Sequence, residues 1–160
     1  MAVVALATAC SSPTGPNAAN LAGRWSGTFL VTDCVTTGVH STCPASSAPG
    51  TLLGAALMFT EADGASVEGY GAYGAMTRDL LLNLRRSHGF FHRFQTQLQP
   101  DGTMKFASTA GAPPTAVEEL SWEITLVSAA RLEGALRARS AFYKVPGDTV
   151  MTGTVILQRQ

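Results

Sequence analysis

The sequence predicts an all-β fold, an antiparallel up-and-down barrel or strongly curved sandwich of about eight or nine strands. Three observations carry this. Apolar and polar residues alternate with period two in segment after segment, for example Leu120, Trp122, Ile124 and Leu126 against Ser121, Glu123 and Thr125. Turn signals stand between the segments, at Glu61-Ala62-Asp63-Gly64, Pro100-Asp101-Gly102 and Pro146-Gly147-Asp148. Small residues abound and only 14% of positions are charged, a bias away from helical bundles and toward short strands.

The first strand is Leu21 to Asp33, where Trp25, Phe29 and Val31 share a face with Gly27 and oppose Arg24, Ser26, Thr28 and Thr32. A glycine between large inward residues suits a strand that must coil to close a sheet. Leu53, Ala55, Leu57 and Phe59 alternate next, and the Glu61–Gly64 turn leads into the strand Val67 to Tyr73. The continuous apolar run Leu80 to Leu84 predicts a further strand. Phe90, His92, Phe94, Thr96 and Leu98 then oppose Phe91, Arg93, Gln95 and Gln97, and the chain turns into Met104, Phe106 and Ser108. After the strand of Leu120 to Leu126, Leu132, Gly134, Leu136 and Ala138 face in while Arg131, Glu133, Arg137 and Arg139 face out. The last strand sets Met151, Gly153, Val155 and Leu157 against Thr152, Thr154, Ile156 and Gln158.

At 160 residues the chain accommodates one core plus appendages, here expected over residues 21–160. Eleven basic and eleven acidic residues balance, and no basic run could neutralise a row of phosphates, which argues against a nucleic-acid partner.

Residues 1–10 are apolar and uncharged, too short for a bilayer span that takes ~20 residues, and read as the end of a secretory signal whose basic start is expected upstream. Leu6-Ala7-Thr8-Ala9-Cys10 resembles the bacterial lipobox, with Leu6 one position further from the cysteine than is usual. The resemblance implies that Cys10 is acylated and anchors the chain to a membrane of the cell envelope; Ser11 in place of Asp points to the outer membrane. Residues 11–20, rich in Ser, Pro, Gly and Asn, then form a tether. With Cys10 lipidated, Cys34 and Cys43 remain as a pair able to close a short disulfide loop in an oxidising compartment. A metal site using His40 is the rival reading, and its spacing is irregular.

Gly23-Arg24-Trp25 matches the Gly-x-Trp that opens a lipocalin barrel, and with the mid-strand glycines Gly27, Gly69, Gly134 and Gly153 the chain from Leu21 to Gln160 resembles the calycin group, the lipocalins and avidins. A loose set of uncharacterised bacterial lipoproteins with a Gly-x-Trp-x-Gly-Thr first strand is similar too. The resemblance implies a location and a barrel, and brings no activity with it.

No catalytic constellation emerges. No serine occupies a Gly-x-Ser-x-Gly elbow, no glycine-rich loop precedes a helix that would bind phosphate, and Glu118 and Glu119, being adjacent, point to opposite faces at what reads as a solvated strand start. His88 and His92 would share a strand face, but a metal needs a third ligand, such as Glu68 or Asp79, that nothing brings near. The expectation is a non-enzymatic domain with no metal and no cofactor. Trp25, Phe29, Phe59, Phe94, Phe106 and Trp122 are the candidate lining of a site for a small apolar ligand or lipid; the alternative is that they pack solid and leave an interaction module for another envelope protein. Arg78, Arg85, Arg86 and Arg93 could form a positive patch, with a solubilising surface as the preferred reading.

Overall fold

The alternating segments become eight antiparallel strands: β1 Gly23–Thr36, β2 Leu52–Asp63, β3 Ser66–Tyr73, β4 His92–Gln97, β5 Thr103–Ala110, β6 Val117–Ser128, β7 Arg131–Ala141 and β8 Asp148–Arg159. This computed structural model describes residues 21–38, 42–82, 91–110, 117–141 and 147–160. Cys10, the tether, His40, His88, Arg85 and Arg86 lie outside the described residues. The strand order β4-β3-β2-β1-β8-β7-β6-β5 is an up-and-down meander whose last strand pairs with its first. β4 and β5 then run side by side without a main-chain ladder, so the barrel is closed but for one joint.

The hairpins at one end, the base, are tight. Gly64 takes φ 59° in the β2–β3 turn, and in the β4–β5 turn Gly102 takes φ 83° while Asp101 accepts hydrogen bonds from the Thr103 amide and hydroxyl. The chain enters the barrel at this same end. Trp25 Nε1 donates to the Leu21 carbonyl at 2.8 Å, the Arg159 side chain donates to the Ala22 carbonyl, and the Gln160 amide donates to Arg24, which pins β1 to β8. Mid-strand glycine lets these two strands approach. A Cβ on Gly27 would overlap the Ile156 carbonyl, and one on Gly153 the Leu30 carbonyl, so only a residue without a side chain permits the coiling there.

At the opposite end, the mouth, β1, β3, β5 and β7 finish, and each is followed in sequence by a longer connection, 37–51, 74–91, 111–116 and 142–147. Cys34 and Cys43 are disulfide-bonded across the first of them, with their Cα atoms 6.3 Å apart. The second holds a correction. Leu80 and Leu81 belong to a helix, α1 (Met76–Leu81), where a strand was expected. The reason is a second apolar surface: Ala56 and Ala72 project from the outer face of β2 and β3, and Leu80 and Phe91 cover them, with Met58, Tyr70 and Met76 at the margin. A short apolar run fits either element, and here the outer wall needed a lid more than the sheet needed a ninth strand.

The inward faces follow the alternation. Trp25, Phe29, Leu57, Leu120, Ile124, Leu132 and Leu157 are wholly buried, and all but a few inward positions below the mouth are apolar.

Candidate ligand site at the barrel mouth

The six aromatic residues expected to line a ligand site are all inside, between 0% and 6% exposed. They stand on one another. Trp25 meets Phe59 edge-on at 6.4 Å, Phe59 meets Phe94 edge-on at 5.7 Å, Phe94 stacks on Phe106 at 4.0 Å, and Phe106 faces Trp122 at 6.1 Å. Phe29 rests edge-on against Tyr73 at 6.3 Å. Rings in these arrangements gain about 0.5–1.5 kcal/mol per pair beyond their area, so the aromatic ladder is a strong reason for the barrel to hold this shape. It also floors the mouth.

Above that floor lies a polar cluster. Tyr73 at the end of β3, His92 at the start of β4, Ser108 near the end of β5, Glu118 at the start of β6 and Ser140 near the end of β7 share the inward parity of their strands. Pairing brings them together: Gly71 opposes His92, Ser108 opposes Leu120, and Glu118 opposes Ser140. His92 is 1% exposed and touches two acceptors, the Glu118 carboxylate from Nε2 at 3.0 Å and the Ser108 carbonyl from Nδ1 at 3.3 Å. A ring with a proton on each nitrogen donates to both.

Glu118 is the hub. Burial pushes its carboxyl up, but hydrogen bonds from His92, Tyr73 and Ser140 and the charge of His92 outweigh burial and hold it below the ordinary glutamate value. Burial and the adjacent Glu118 charge push the Tyr73 phenol far above its usual value, so Tyr73 stays a neutral donor at any physiological pH. Two buried polar atoms beside this cluster, Ser108 Oγ and Trp122 Nε1, have no hydrogen-bond partner among the described residues. Gly71 explains the position of the indole: its missing side chain lets Trp122 lie against β3, where a Cβ would come within 3.3 Å of Nε1.

Ser108, His92 and Glu118 thus share a layer without forming a nucleophile and its base. His92 bonds the carbonyl of Ser108, not its hydroxyl, and both ring nitrogens are engaged. Among the described residues no three His, Cys, Asp or Glu side chains are placed to hold a metal, and Glu68 faces outward, bonded to Arg93 and Gln95. Arg78 sits on α1, and Arg93, on the outer face of β4 near its mouth end, is paired with Glu68.

Sequence reasoning placed the aromatics and missed the hub. Glu118 read as the solvated start of a strand, yet it has the parity of Leu120, Trp122 and Ile124 and therefore faces in, while Glu119 faces out and binds Arg139 at 2.9 Å. Comparison of the chain with known protein families, with curated proteins and with solved structures finds no match.

Proposed function

We propose that this chain is an exported, lipid-anchored, non-enzymatic binding domain, held to the envelope through Cys10, that takes a small apolar ligand or lipid at the mouth of a calycin-like barrel. One observation carries the reading: a buried His92 paired with a half-buried Glu118, flanked by two buried polar atoms that have no hydrogen-bond partner among the described residues, at one end of an otherwise apolar barrel. Buried charge pairs contribute little net stability compared with packed apolar residues, and orphaned buried polar groups cost about 1–3 kcal/mol each. Such a cluster is the expected mark of a site that a ligand completes. The topology supports the same arrangement. Leu21, the first described residue, enters at the base, so an anchor at Cys10 would attach to the domain at the end opposite the mouth.

The aromatic ladder favours a second reading, the solidly packed interaction module, because rings at 0–6% exposure leave the ligand only the mouth. Two experiments bear on the proposal. Cells fed labelled palmitate incorporate it into the wild-type chain and not into Cys10→Ser; no label in the wild type removes the anchor. A thermal-shift screen of lipids and small hydrophobes stabilises the wild type, and the Tyr73→Ala variant responds less; a flat screen leaves the interaction module in place.

A further inference from the structure

The seven laced joints of the barrel are main-chain ladders, three of them carrying a bulge, whereas the β4–β5 joint is stitched by side chains. Beyond the turn, where the Gln99 amide donates to the Thr103 carbonyl at 2.9 Å, the contacts are Thr96 Oγ1 to the Lys105 carbonyl at 2.9 Å, the Phe94–Phe106 stack, and His92 Nδ1 to the Ser108 carbonyl at 3.3 Å. Two strand edges therefore face each other with their main-chain groups unpaired by a ladder among the described residues. Such edges are templates for another strand. A cleft of about 590 Å³ runs along the lower seam between Gln95, Gln97 and Lys105, and one of about 340 Å³ continues it past Arg93 and Ala107. The charges here are already answered, Arg93 by Glu68 and Lys105 by Glu123 at 2.7 Å, so the groove offers mainly amides, hydroxyls and main chain.

We propose that this seam is a strand-addition site for an extended, uncharged segment of a partner protein. The segment pairs its main chain with the free edges of β4 and β5 and replaces the side-chain stitches with ladder hydrogen bonds. Its alternate residues are apolar, against Phe94 and Phe106, and polar, beside Gln95 and Gln97. Entry requires the joint to widen by about one strand spacing, ~4.8 Å, and this joint yields first because it lacks a ladder and β4, at six residues, is the shortest strand. Charge complementarity does not select the partner; backbone geometry does.

The test uses the full chain in mild detergent and a fluorescent eight-residue peptide of alternating threonine and valine. The expected result is saturable binding, at least tenfold weaker for the same peptide with two central prolines, together with slowed hydrogen exchange of amides in β4 and β5. A double variant, Gln95→Cys with Lys105→Cys, oxidised to staple the seam, loses binding. Equal binding of the proline peptide, protection located on other strands, or unchanged binding by a folded stapled variant would overturn the proposal. Self-association through the same strands, seen by sedimentation without peptide, would also overturn it and assign the seam to a second copy of this chain.

Discussion

Glu118→Gln keeps the shape of the mouth and removes the charge that three donors converge on. The magnitude follows from burial. An exposed pair contributes up to about 1 kcal/mol, while removing one partner of a fully buried pair costs about 3–5 kcal/mol. His92 is 1% exposed and Glu118 32%, so this pair lies between those limits and the variant should lose about 2 kcal/mol at pH 7. For a domain of this size that lowers Tm by roughly 5–10 °C. The pH dependence has a definite sign. Because Glu118 is held below the ordinary glutamate value in the fold, its contribution is complete above that value and is lost as pH falls through the folded one. Urea denaturation of both proteins at pH 7 and again near pH 3 reads this directly. The gap should be present at pH 7 and smaller in acid. Equal stability at pH 7, or a gap that persists undiminished in acid, would refute the hub.

Three further outcomes test the wall and the core. Gly153→Ala drives a methyl into the Leu30 carbonyl and should abolish soluble, folded protein, whereas Gly54→Ala, whose nearest neighbour is the Thr77 hydroxyl at 3.2 Å, should cost under about 1 kcal/mol by thermal melting. Phe106→Ala removes the ring that touches both Phe94 and Trp122 and should cost about 3–5 kcal/mol in urea, against roughly 1.5 kcal/mol or less for Phe106→Leu. Cys34→Ser opens a loop with a sequence separation of 9 and should lower stability by about 2–3 kcal/mol under oxidising conditions, with no difference from wild type once both are reduced.

Much of the fold was legible because period-two alternation is a local property. Trp25, Phe29, Leu120, Trp122 and Ile124 face in as their parity requires, and the turns at Gly64 and Gly102 fall where glycine was available for positive φ. The pairing of Cys34 with Cys43 was legible only on the expectation that Cys10 is acylated, which leaves two of the three thiols. What alternation cannot express is a second layer. Leu80 packs on Ala56 and Ala72 from outside the sheet, and nothing in so short a leucine-rich run distinguishes that helix from a strand. The mouth cluster failed for a different reason. The parities of His92 and Glu118 were readable, but their meeting depends on β4 and β6 facing the same interior across β5, a contact that only barrel closure creates.

The central claim is that the mouth holds a ligand, and native mass spectrometry of the chain purified from its own envelope without denaturation tests it most directly. The account predicts a reproducible added mass that organic extraction removes and that Glu118→Gln or Tyr73→Ala diminishes. A bare mass for the wild-type protein, unchanged by incubation with lipids and small hydrophobes, would contradict it.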